Sequence, residues 1–273
     1  MSLAGLERRR TALPLLAATG SAWMVMGTGL AGLSSLRAVC CVPLTGLQHL
    51  SQFWDGSRIF PMMLSWAVML VAMMTPLLFE PVRHIRDRSL SSRRFRSITL
   101  FLIAYFGTWM AAGFVLLSLV ATIRIAILDP VVQATVVAAG AVGWQCSPMK
   151  QRCLNRLHLL PALAVFGREA DLDALRFGRT HGLWCVSSCW ALMTFSETCS
   201  VGSLFAMVFV TGWLLAEHIE RPTRPKWQLP RLQRATKVVS SYVLGACRTK
   251  SFEILSDPFP FVNFADPASQ RHP

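Results

Sequence analysis

Long apolar runs alternate along this chain with short segments rich in charge. Runs of about twenty mostly apolar residues, the length a helix needs to cross a bilayer core, lie at roughly 13–34, 59–79, 98–120, 125–147, 180–199 and 202–219. They predict an all-α, polytopic bundle of six transmembrane spans. Asp129 and Pro130 interrupt the fourth run near its start, and Pro148 closes it. The fifth carries Ser, Thr and Glu197, which suits a helix that faces other helices more than lipid. Composition points the same way: 53% of the residues are hydrophobic, 15% are charged and the mean hydropathy is +0.45, too apolar for a soluble domain of this length.

Charge gives an independent reading of topology, because Lys and Arg collect in cytoplasmic loops. Arg8 to Arg10 precede the first run, and Arg83, Arg86, Arg88, Arg93, Arg94 and Arg96 follow the second. Lys150, Arg152, Arg156, Arg168, Arg176 and Arg179 lie between the fourth and fifth, and nine more basic residues follow the sixth. With six spans, 24 of the 27 Lys and Arg fall on one side, leaving Arg37, Arg58 and Arg124 opposite. Both termini are therefore expected in the cytoplasm of a multi-pass inner-membrane protein. Residues 1–12 form a basic N-terminus, 13–220 the transmembrane domain and 221–273 a basic tail. In that tail Arg231 to Cys247 has the pattern of an interfacial amphipathic helix, and the last twenty residues read as flexible. The net charge of +13 follows from this topology. No nucleic-acid motif accompanies it, so nucleic acid is not an expected partner; the Arg83–Arg96 segment suits anionic lipid headgroups. The run after Arg10 is long for the core of a cleaved signal peptide.

Candidate chemistry concentrates in the fifth run. His181, Cys185, Cys189, Met193 and Glu197 recur every fourth residue, which on a helix makes one slanted stripe with a drift of about 40° per step. Imidazole, thiolate and thioether suit copper(I) or zinc and not magnesium or calcium. Each step climbs about 6 Å, so two neighbours can share an ion while His181 and Met193, about 18 Å apart, cannot. Met69, Met73 and Met74 in the second run, and Cys146 and Cys153 around the end of the fourth, approach the same inner depth as His181 and Cys185. They meet there if the second, fourth and fifth helices are neighbours. Methionines at helical spacing also serve as plain packing. Cys40, Cys41 and Cys199 fall on the outer side, where a disulfide from Cys199 to either partner and a surface metal site both stay open.

Three segments, WAVMLVAMMTP (Trp66 to Pro76), GWQCSPMKQRCL (Gly143 to Leu154) and GRTHGLWCVSSCWALM (Gly178 to Met193), resemble in order and spacing a bacterial family of predicted metal-binding integral membrane proteins of unknown function. The resemblance covers roughly residues 60–220. It picks out Trp66, Met69, Met73, Met74, Pro76, Gln145, Lys150, Cys153, His181, Gly182, Cys185, Cys189, Trp190 and Met193. The chain departs from the family pattern at Ser187 and Ser188, where a Gly and a Cys are common, and at Leu157 and His158, where a Cys-Arg pair is often seen. The resemblance implies metal binding.

Residues and resemblance together lead to one expectation. A soft metal ion, copper with zinc as the alternative, sits in the inner half of the bundle for handling or delivery to a protein partner. His181 and Cys185 lead the ligand set, Cys189 and Met73 come next, and Met69, Met74, Cys146, Cys153 and Met193 form a second tier. A transporter using the His/Cys/Met ladder, a membrane metalloenzyme and a structural subunit without metal are the competing readings. No phosphate-binding loop, dinucleotide fingerprint, nucleophile elbow or paired carboxylates accompany the stripe, and no signal sets an oligomeric state.

Overall fold

A computed structural model describes residues 3–28, 56–199, 203–220, 222–228 and 236–237. The described residues are helical, with no strand among them. The elements are α1 (Leu3–Thr28), α2 (Gly56–Met74), a 3-10 turn (Thr75–Leu78), α3 (Phe79–Arg88), α4 (Arg94–Ala126), α5 (Pro130–Cys146), α6 (Pro148–Leu157), α7 (Gly167–Thr198) and α8 (Ser203–Ile219). The expected outer loop with Cys40 and Cys41 lies outside the described residues, as does most of Arg231–Cys247.

Local chemistry explains the breaks. Pro76 has no N–H to give an α-helical ladder, so α2 tightens into the 3-10 turn before continuing as α3. The segment expected as a basic loop is thus helical up to Arg88 and again from Arg94. The Asp129–Pro130 interruption is a helix start: the Asp129 carboxylate accepts from Val131 N at 2.7 Å and Val132 N at 3.2 Å, with proline in the first turn, where its missing N–H costs nothing. Residues up to Ala126 belong to α4 instead. Ser147 leaves the helical region and caps α6 by accepting from Lys150 N at 3.2 Å.

α7 is the organising element and packs against α4, α5, α6 and α8, most extensively against α4. It begins at Gly167, well before the apolar run at 180. Its polar first turns are anchored where Asp171 accepts from both Arg93 (2.8 Å) and Arg96 (2.7 Å) at the start of α4. Close approach of α4 and α7 depends on Gly178, since a Cβ there would meet the Phe101 carbonyl oxygen at 2.3 Å. Gly113 on α4 gives the same freedom to α2: a Cβ would lie 2.1 Å from Trp66 Nε1. Small residues at such crossings are how helices pack without a water-driven force. α2 itself packs mainly on α1 and α4, so the second expected span reaches the fifth through the third.

Two helical stretches, Ile59–Arg88 and Arg94–Ala126, are long and apolar enough to cross a membrane; the apolar stretches Ala12–Thr28 and Leu204–Ile219 are shorter.

Candidate metal centre

The four leading members of the stripe are all interior. His181 is 7% exposed, Cys185 1%, and Cys189 and Met193 are fully covered. The helical repeat brings Cys185 Sγ and Cys189 Sγ to 3.9 Å. Cys189 also donates to the Cys185 carbonyl, which accepts from the Ser188 hydroxyl at 2.9 Å as well. Ser and Cys back-bonding of this kind fixes the side-chain rotamers on the helix. Across the interface, the Tyr105 hydroxyl donates to Cys185 Sγ at 3.2 Å.

α4 supplies the wall of this site. Phe101, Tyr105 and Trp109, one turn apart, are fully buried toward α7. Trp66 of α2 donates through Nε1 to the Trp109 carbonyl at 3.2 Å, with the two rings 6.4 Å apart. Trp109 Nε1 is buried beside Cys185 and Tyr105 without a hydrogen bond of ordinary geometry. A buried donor left unpaired is costly, and one next to a thiol is placed to stabilise a thiolate.

His181 sits one turn N-terminal to Cys185 in an aromatic box, its ring centroid 5.6 Å from Phe177, 6.0 Å from Tyr105 and 6.1 Å from Phe101. Among the described residues, no three His, Cys, Asp or Glu groups converge as a metal cage. What does converge is the thiol pair. Two sulfurs 3.9 Å apart, each about 2.3 Å from one ion, subtend an angle of about 116° there, close to trigonal. The pair fits one soft ion with a coordination position left over. Met69, Met73 and Met74 are buried in the same contiguous core as Cys185 and Cys189, although no contact places their sulfurs on the thiols.

The second-tier cysteines lie apart from the pair. Cys146, half-buried, ends α5, and its carbonyl accepts from Gln228 N at 3.2 Å. Cys153 is buried on α6, where burial pushes its thiol up while Arg156 opposes, so it stays protonated at neutral pH. His158, at the end of α6, has its imidazole pushed down by burial and is a neutral ring. At the far end of α7, Arg124 donates to the Glu197 backbone carbonyl at 2.8 Å.

The resemblance picked out Lys150, but sequence reasoning missed its partner Glu217. Lys150 of α6 and Glu217 of α8 form a buried ion pair, with side chains 4% and 3% exposed, and Trp213 Nε1 donates to the same Glu217 oxygen at 2.9 Å. Lys150 lies within electrostatic reach of Cys189 and Cys146. Nearby, Trp144 packs edge-on against Trp190 at 5.3 Å. The Trp144 Nε1 and both amide atoms of Gln145 are buried without partners. Glu217 carried a usable signal, being an acid inside the end of an apolar run. Tyr105 and Trp109 carried none, because an aromatic stripe on an apolar helix is also what packing uses.

Fold and site together define a helical protein with an interior, incompletely coordinated pair of thiols. A family model described as "PpoB2: Copper chaperone" matches residues 63–239, a stretch that includes most of α2, the thiol pair, Lys150 and Glu217. The chain belongs to this copper chaperone family. No curated protein and no solved structure matches it.

Proposed function

We propose that this chain is a six-span inner-membrane protein, with both termini cytoplasmic, that holds copper(I) between Cys185 and Cys189 and passes it to a protein partner. Copper is the cargo. The observation that carries this reading is the 3.9 Å separation of two buried thiols on one helix face, in a chain of copper chaperone kinship. Soft thiolates select a soft monovalent ion. A pair leaves a position for a methionine thioether of α2, for His181, or for a ligand of the recipient, so the ion can be exchanged without first being released. Membrane residence is supported by the two long apolar helices. It is also supported by the exposed apolar side chains of Leu13, Ile103, Val115, Val136 and Phe209, which suit lipid contact, and by the one-sided distribution of Lys and Arg.

Titration of reduced, detergent-purified protein against a chromophoric copper(I) chelator tests this reading. The expected stoichiometry is one tightly held ion per chain, lost in Cys185→Ser and Cys189→Ser and kept in Cys153→Ser. Tight binding that survives both of the first two substitutions would overturn it. The continuous buried seam from His181 to Met193 favours one second reading, passage of copper along α7. Copper uptake into proteoliposomes that depends on Met193 distinguishes passage from holding.

A further inference from the structure

Binding a monovalent ion to two thiols changes the charge of the site. Two neutral thiols plus Cu(I) give a bis-thiolate of net charge −1 and release two protons; two thiols plus a divalent ion give a neutral site and release the same two. An uncompensated charge in the interior of a helix bundle carries a desolvation penalty of several kcal/mol. Among the described residues the only buried Lys or Arg is Lys150, held against Glu217 with both side chains almost fully covered. It belongs to α6, which packs on α7, as does α8 with Glu217. Its reach extends to Cys189.

We propose that Lys150 is the counter-ion of the loaded Cys185–Cys189 site and a determinant of its preference for monovalent over divalent ions, with Glu217 setting how much of its charge the thiolates feel. The inference rests on the thiol-pair reading above. In the empty protein Lys150 and Glu217 neutralise each other, and Trp213 fixes the Glu217 oxygen that Lys150 contacts. When Cu(I) loads, the ammonium stabilises the new negative charge on the Cys189 side. When Zn(II) loads, no net charge appears, and the ammonium changes its affinity little. Loss of the cation therefore weakens Cu(I) selectively. A purely structural role for Lys150 weakens both.

The test measures Cu(I) and Zn(II) affinities, each by chelator competition, on the full-length protein in detergent under reducing conditions. Lys150→Met leaves Glu217 buried and unpaired, which alone can unfold a protein, so Lys150→Met/Glu217→Gln, which removes both charges and keeps an acceptor for Trp213, is the primary variant. It is expected to lose about tenfold or more in Cu(I) affinity while Zn(II) affinity holds. Lys150→Arg, which keeps the cation opposite Glu217, is expected to stay near wild type. Parallel loss of both metals in the double variant, or no change in either, overturns the counter-ion role while leaving the thiol-pair reading intact. Absence of thiol-dependent Cu(I) binding in the wild-type protein sinks the thiol-pair reading itself, and this inference with it.

Discussion

The two halves of α7 bond their own hydroxyls alike, as Thr180 and Ser188 show, and differ in what packs against them. Toward the C-terminal end every hydroxyl is spent on the helix itself: Thr194 donates to Trp190 O at 2.8 Å, Ser196 to Met193 O at 2.8 Å and Thr198 to Thr194 O at 2.7 Å. Arg124 closes that end on the Glu197 carbonyl. Around the thiol pair the hydrogen-bond accounting does not close. Trp109 Nε1 is buried beside Cys185 without a hydrogen bond of ordinary geometry, and two thiols face each other. A seam built only to pack satisfies its polar atoms. A spare donor beside a thiol is what the proposed copper site has and the rest of the seam lacks.

The largest expected way to break the contrast is Gly178→Val. The new side chain drives into the Phe101 carbonyl and separates α4 from α7 on the N-terminal side of the thiol pair, costing about 3 kcal/mol. A lowered thermal midpoint in detergent, with copper(I) binding lost alongside, checks it. Trp109→Phe sharpens the contrast instead. It deletes the unpaired donor while keeping most of the ring, so the empty protein should unfold at nearly the same temperature. Copper(I) affinity should fall about tenfold, the worth of one hydrogen bond to a charged acceptor; an unchanged affinity would show that Trp109 only packs. The smallest effect is expected toward the C-terminal end of α7. Thr194→Val removes one hydroxyl bonded to its own helix, should change stability by about 1 kcal/mol or less and should leave copper(I) affinity untouched. A clear drop in affinity there would extend the site outward and favour passage over holding.

Much of this contrast was written in the sequence. The fourfold spacing from His181 to Met193 placed the stripe on one face, and the apolar runs pointed to helices, as found among the described residues. The Asp129–Pro130 pair read as an interruption of the fourth run and is a helix start. What the sequence hid is what depends on partners distant along the chain. Lys150 and Glu217 meet across a separation of 67 residues, and neither position alone announces the other. Tyr105 reaches Cys185 from 80 residues away on a helix whose aromatics read as packing. The polar first turns of α7 were invisible to hydropathy because they are helical for a different reason, the Asp171 anchor to Arg93 and Arg96. Helix neighbours were equally hidden: α2 packs mainly on α1 and α4, and its methionines lie in the same core as the thiols.

X-ray absorption at the copper edge of the loaded protein, with Cys185→Ser/Cys189→Ser and Met193→Leu beside it, tests the central claim most directly. The account predicts a sulfur-dominated shell containing two thiolates, unchanged in Met193→Leu and abolished in the double serine variant. A shell dominated by nitrogen, or one that persists when both thiols are gone, would contradict it.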